Sequence, residues 1–130
     1  MRALVAVPDL LFQSRIEGAL RARGIAWDVA GNDAQAGHAH LLVVDLQAHG
    51  IDTPALIRRA KAGGGVVLAF GRHTDAAALR AARDAGADLV VPRSQLAEEL
   101  PELLDRLSAA AGQTPAWDRT RRHGRAIERL

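Results

Sequence analysis

The sequence predicts an α/β fold: one domain built on a five-stranded parallel sheet with helices on both faces. Three observations predict it. Leu41-Leu42-Val43-Val44 and Val66-Val67-Leu68-Ala69-Phe70 are uninterrupted apolar runs of strand length, the pattern of strands covered on both faces. Between the apolar runs lie segments whose apolar residues recur at helical spacing, most of them opened by a capping side chain and closed by glycine. Finally, 130 residues with 48% hydrophobic content are enough for a single domain with a real core.

Taken in order, Ala3–Val7 is short, Val-rich and ended by Pro8, and is strand β1. From Leu10 to Arg23 the residues Leu11, Phe12, Ile16, Ala19 and Leu20 share one helical face. Asp9 is placed to cap this helix, α1, and Gly24 to stop it. Ile25–Ala30 alternates Ile25, Trp27 and Val29 with Ala26 and Asp28 and predicts β2 as an edge strand. Strict alternation then requires a helix in Gly31–His40, but the residues support only a turn or two around Asp33–Ala36, so that helix is expected short or missing. Leu41–Leu46 is β3. Asp52-Thr53-Pro54 opens α2, a capping side chain followed by Pro at the first helical position, and Gly63-Gly64-Gly65 ends it. Val66–Phe70 is β4. Thr74 is the expected cap of α3, Ala76–Ala85, with Gly86 as its stop. Leu89–Val91 is β5. Ser94 is the expected cap of α4, which reaches about Ala110 and should kink at Pro101. Five strands alternating with helices suit the flavodoxin-like order 2-1-3-4-5, a three-layer sandwich with right-handed crossovers.

Composition narrows the chemistry. Aromatics are 3%, so Ala, Val and Leu must fill the core, and the absence of Cys excludes disulfides, thiolate nucleophiles and zinc–thiolate sites. The first apolar run is too short for a signal sequence, and no run approaches the roughly 18 apolar residues of a membrane span. A cytoplasmic protein without membrane association is the expectation. Net charge is +2, unevenly placed. Residues 113–130 hold Arg119, Arg121, Arg122, Arg125 and Arg129 against Asp118 and Glu128, and are expected to form a basic tail after a domain at 1–112. Without aromatic interleaving beyond Trp117, the tail points to a surface helix or docking segment, and no nucleic-acid partner is expected. No dinucleotide or phosphate-loop pattern occurs, since the Gly63–Gly65 run precedes a strand and phosphate loops precede a helix.

In open α/β sheets, ligands and reactive groups gather at the carboxyl ends of the strands. Asp45 ends β3 there, and Arg93, just past β5, would reach across the crevice to pair with it. Asp9, Asp45, Phe70, Gly71 and Arg93 are the expected lining of this pocket. His73 sits at a β–α junction and His38, His40 and His49 flank β3, where solvated loop histidines are expected rather than a metal set.

Over residues 1 to about 110 the pattern resembles the receiver domain of bacterial response regulators (CheY-like). The resemblance rests on Leu41-Leu42-Val43-Val44-Asp45-Leu46 as β3 with its phosphoacceptor Asp, on Gly50-Ile51-Asp52 as the turn after it, on Asp9-Leu10-Leu11-Phe12 as the start of α1, and on Ala85-Gly86-Ala87-Asp88 entering β5. It implies Asp45 as the phosphoacceptor. The family's acidic pair after β1 falls on Val7 and Pro8, with only Asp9 adjacent. Its hydroxyl after β4 falls on Phe70 or Gly71, and its Lys after β5 on Pro92 or Arg93. An acyl phosphate requires Mg²⁺ on hard oxygen ligands and donors for the phosphoryl oxygens. With three of these four elements absent or altered, Phe70-Gly71-Arg72-His73-Thr74-Asp75 and Val91-Pro92-Arg93-Ser94 resemble a degenerate, pseudo-receiver subgroup.

The expectation is a stand-alone, non-enzymatic receiver-like module for signalling and protein contact, with no cofactor. The resemblance places its interface on the face of α3, β5 and α4, at Arg80, Arg83, Arg93, Ser94, Leu96 and Glu99. Its partner would be another protein, with a homodimer as an alternative. Two further readings stay open: a phosphate-accepting regulator of a two-component system using Asp45 and Mg²⁺, with Asp9 and Asp45 as weak metal ligands; and a small-anion or nucleotide binder using the helix starts near Thr53 and Thr74.

Overall fold

The computed structural model describes residues 1–30 and 33–111, and the basic tail at 113–130 lies outside them. The elements run β1 (Arg2–Ala6), α1 (Leu10–Ala22), β2 (Ala26–Val29), a 3₁₀ helix (Asp33–His38), β3 (Leu41–Asp45), α2 (Thr53–Ala62), β4 (Val66–Gly71), α3 (Ala76–Ala85), β5 (Leu89–Pro92) and α4 (Arg93–Ala111). All pairings are parallel, in the order β2-β1-β3-β4-β5. The short 3₁₀ helix replaces the helix that strict alternation would demand.

Alternation along the strands sorts the side chains into two cores. Val5, Leu41, Val43, Leu68, Phe70 and Val91 point to one face, against Ile16 and Leu20 of α1 and Leu96, Leu100, Leu103, Leu104 and Leu107 of α4. Leu4, Ala6, Leu42, Val44, Val67 and Ala69 point to the other, against Leu56, Ile57 and Ala60 of α2 and Ala82 and Ala85 of α3. Because β3 and β4 are covered on both sides, every residue of both is buried. Among the described residues no helix is long and apolar enough to cross a membrane.

The Asp9 carboxylate accepts the amides of Leu11 and Phe12 and starts α1; Asp52 accepts the amide of Ala55 and starts α2. Two expected caps are displaced. Asp75, not Thr74, accepts the amide of Ala78 at the start of α3. Helix α4 begins at Arg93, directly from β5, so Ser94 lies inside its first turn. The kink expected in α4 is present: Glu99 leaves helical geometry (φ −117°, ψ 18°) two residues before Pro101, whose ring excludes a regular helix there.

The glycine run after α2 packs backbone against backbone. A Cβ on Gly65 would stand 2.5 Å from the carbonyl oxygen of Ala39, so this turn closes α2 tightly and does not cradle phosphate. Lys61 clamps the same end of the sheet: its Nζ donates to both Asp88 oxygens at 3.0 and 2.9 Å, and Asp88 Oδ2 also accepts the amide of Val67 at 2.7 Å. At the β2 edge the Arg2 guanidinium donates to Asp28 at 2.7 Å and holds that carboxyl below its ordinary value.

Gly18 has no such reason to be glycine. It lies exposed inside α1, and a Cβ there would meet nothing within 4 Å. Gly18→Ala is therefore expected to stabilise the domain by about 0.5–1 kcal/mol. Urea unfolding at low protein concentration checks this, and a loss of stability would contradict the open surroundings of Gly18.

Candidate functional site

The carboxyl ends of β1, β3, β4 and β5 carry a small ionic cluster. Asp45 is the last residue of β3 and pairs in register with Phe70. It points to the α1–α4 face and is 3% exposed. A buried carboxylate is costly unless its oxygens are satisfied. Here both are: Oδ1 accepts the amide of Gln47 at 2.9 Å, and Oδ2 accepts Arg93 Nη2 at 2.9 Å. Arg93 reaches it because β5 runs through Pro92, level with Gly71, and α4 starts at the next residue. The guanidinium also lies 3.6 Å from Asp9 Oδ2, while Asp9 Oδ1 is used by the capping amides of Leu11 and Phe12 at 2.9 and 3.2 Å. One cation thus faces two carboxylates from separate strand ends.

Two aromatic rings support that cation. The Arg93 Cζ lies 4.9 Å from the centre of the Phe12 ring and 5.7 Å from that of Phe70. The rings themselves are 5.7 Å apart. Such contacts attract a guanidinium and restrict its motion. Phe70 is wholly buried and forms the floor; Phe12 is half-buried and forms a side wall.

Gln47 ties the neighbouring loops together. Its Oε1 accepts the amide of Arg72 at 3.0 Å and its Nε2 donates to Asp75 Oδ2 at 3.1 Å. A Cβ on Gly71 would stand 2.8 Å from Gln47 Oε1, so this amide occupies the space beside the end of β4. Gly71 carries no hydroxyl, and Pro92 has neither an amide hydrogen nor a side-chain donor.

The chain fits Mg²⁺ poorly. Asp9 and Asp45 are the carboxylates at the cluster, and the guanidinium is set against Oδ2 of each. Mg²⁺ requires several oxygen ligands in near-octahedral array. Among the described residues no three His, Cys, Asp or Glu converge on a point where a metal could sit. Arg2 N donates to His40 Nδ1 at the opposite end of β3, and His49 is exposed in the loop beyond Asp45. His73, also exposed, lines a shallow groove of about 420 Å³ with Phe12, Arg72, Thr74, Arg93, Ser94 and Ala97. The helix starts near Thr53 and Thr74 are poor anion sites, since the Asp52 and Asp75 carboxylates already cap them.

The structure thus brings together Asp9, Asp45, Phe70, Gly71 and Arg93 at one end of the sheet. Of the expected interface residues, Arg80, Arg83, Ser94 and Glu99 are exposed. Leu96 is 1% exposed and belongs to the core under α4, so it cannot contact a partner. Sequence reasoning missed Gln47, Phe12 and Asp75 as parts of the cluster. A polar residue two positions after Asp45 was the available signal for Gln47; nothing along the chain signalled Phe12.

No family model matches the chain, and no curated protein does. Solved structures do. A putative response regulator from Chloroflexus aurantiacus superposes with a TM-score of 0.67 at 22% identity, over 86% of this chain and 98% of that one. The signal receiver domain of a DNA-binding response regulator from Colwellia psychrerythraea gives 0.69 at 16%, over 84% and 98%. The beryllofluoride-activated NtrC4 receiver domain, solved as a dimer, gives 0.64 at 18%, over 84% and 98%. With this strand order and these superpositions, the chain has the receiver-domain (CheY-like) fold.

Proposed function

We propose that the chain is a receiver-like signalling module that acts through protein contacts and does not carry out phosphoryl transfer. One observation carries this reading: the Arg93 guanidinium pairs with Asp45 and faces Asp9, where phosphoryl chemistry would need a free carboxylate oxygen and a divalent cation. Donors on both Asp45 oxygens, one of them a guanidinium, draw charge from the carboxylate and weaken it as a nucleophile. Gly71 and Pro92 supply no donor for phosphoryl oxygens, and Arg93 is already committed. The exposed residues Arg80, Arg83, Ser94 and Glu99 then mark the surface through which such a module would meet its protein partner.

Incubation with acetyl phosphate and Mg²⁺ should add no mass to the intact protein. Thermal unfolding gives a parallel test. At about 10 mM Mg²⁺ a site of roughly 1 mM affinity would stabilise the fold by RT ln 11, about 1.4 kcal/mol. That would raise the midpoint by about 3–6 °C, whereas a shift under about 1 °C is expected here. A phosphoryl adduct mapped to Asp45 would transfer the assignment to a phosphate-accepting regulator.

A further inference from the structure

We propose that the groove between the start of α1, the loop from β4 to α3 and the start of α4 is a binding site for a small aromatic carboxylate. Three elements wall it. Phe12 stands in the first turn of α1, Arg72, His73 and Thr74 follow β4, and Arg93, Ser94 and Ala97 open α4. Its volume of about 420 Å³ lies within the range of small-molecule sites, roughly 300–1,000 Å³.

The lining has an apolar part and a polar part. The half-buried Phe12 ring makes its inner contacts with Phe70 and Arg93, and Ala97 is exposed. Together they suit the flat apolar body of a ring. The polar part consists of donors and holds no carboxylate. The side chains of Arg72, His73, Thr74 and Ser94 make no hydrogen bond or ion pair with any described residue. The loop that carries the first three is nonetheless fixed through its ends. Arg72 N donates to Gln47 Oε1 at 3.0 Å, Asp75 N donates to the Arg72 carbonyl at 3.0 Å, and Asp75 Oδ1 caps α3 through the Ala78 amide at 3.1 Å. A held main chain presenting unpartnered side chains leaves little ordering to be done on binding. The N-terminus of α3 takes no part, since Asp75 occupies it.

Charge selects the class of ligand. Arg93 is balanced by Asp45 and Asp9, which leaves Arg72 as the unbalanced formal charge of the lining. A guanidinium takes a carboxylate through two parallel N–H bonds. The imidazole N–H of His73 and the hydroxyls of Thr74 and Ser94 are further donors for the same head group. A phosphate monoester carries a charge of about −1.5 to −2 at neutral pH, more than Arg72 balances, and the excess would face Asp9 and Asp45. A carboxylate with no ring would leave Phe12 and Ala97 in water. The inference goes beyond the proposed function and does not rest on it, because no step at Asp45 is involved.

An amide-resolved NMR titration of the full chain with benzoate, in the absence of Mg²⁺ and acetyl phosphate, tests the site. For a ligand this small in an open groove a dissociation constant of roughly 1 mM is expected. Saturable shifts should appear at Arg72, His73, Thr74, Ser94 and Ala97. Acetate lacks the ring and benzyl alcohol lacks the charge, and each should bind about tenfold more weakly or worse. Arg72→Ala should weaken benzoate roughly tenfold. Ala97→Glu sets a like charge in the groove and should abolish the shifts at the other lining residues. Both positions are exposed, and unchanged thermal melts would show that each variant folds. No saturable shift up to about 10 mM benzoate, ten times the expected constant, overturns the proposal. So does acetate or benzyl alcohol that binds as well as benzoate, or benzoate binding that survives both substitutions.

Discussion

Arg93→Ala is expected to destabilise the domain by about 2–3 kcal/mol and to lower its melting midpoint by roughly 6–12 °C. The carboxylate left behind is the reason. Asp45 is 3% exposed, and without Arg93 only the Gln47 amide remains to satisfy it. Removing one partner of a fully buried pair costs about 3–5 kcal/mol. The Arg93 side chain is 31% exposed, which moderates the loss. The change also strips the guanidinium from Phe12 and Phe70. A double-mutant cycle separates these contributions. Asp45→Ala alone should cost roughly 1–3 kcal/mol, and the double variant should cost less than the sum, with a coupling of about 1–2 kcal/mol. Additive losses would show that Asp45 and Arg93 do not stabilise one another.

Phe70→Ala is expected to have the larger effect, about 3–5 kcal/mol. Phe70 is wholly buried at the carboxyl end of β4, touching Phe12 of α1 and underlying Arg93 of α4. Its removal opens a cavity where two helices and the sheet meet, and takes away the floor of the ionic cluster. Phe70→Leu keeps most of the volume and should cost about 1 kcal/mol, which distinguishes the cavity from a specific need for the ring. Guanidinium unfolding of both variants gives the comparison. A loss below about 1 kcal/mol for the alanine variant would mean that the core closes over the gap, and that Phe70 anchors neither helix.

Most of the architecture was legible from local pattern. The runs at Leu41–Val44 and Val66–Phe70 suited strands buried on both faces, and the structure has them so. Asp9 and Asp52 are caps, and Gly86, at φ 108°, ends α3 in the left-handed region that glycine enters without strain. The pairing of Asp45 with Arg93 was also foreseeable, because parallel strands bring their carboxyl ends together. The two misplaced caps show the limit. Thr74 and Asp75 both suit a cap, and the choice falls to Asp75, whose Oδ2 also accepts Gln47 from the loop after β3. Ser94 loses its capping place because β5 extends one residue further, through Pro92.

The sequence by itself determined the element order and the parallel sheet, because these follow from residue type and spacing along the chain. It could not determine which way Asp45 faces. A strand that is apolar on both sides has no alternation to read, so its facing is fixed only when its neighbours set the register. That register turned Asp45 toward α1 and α4, set Phe70 beside it and brought Arg93, Asp9 and Phe12 around it. It also buried Leu96 and left Leu11 in solvent, although both are leucines on amphipathic helices. Burial depends on which side of a helix meets the sheet, and packing across the whole domain decides that.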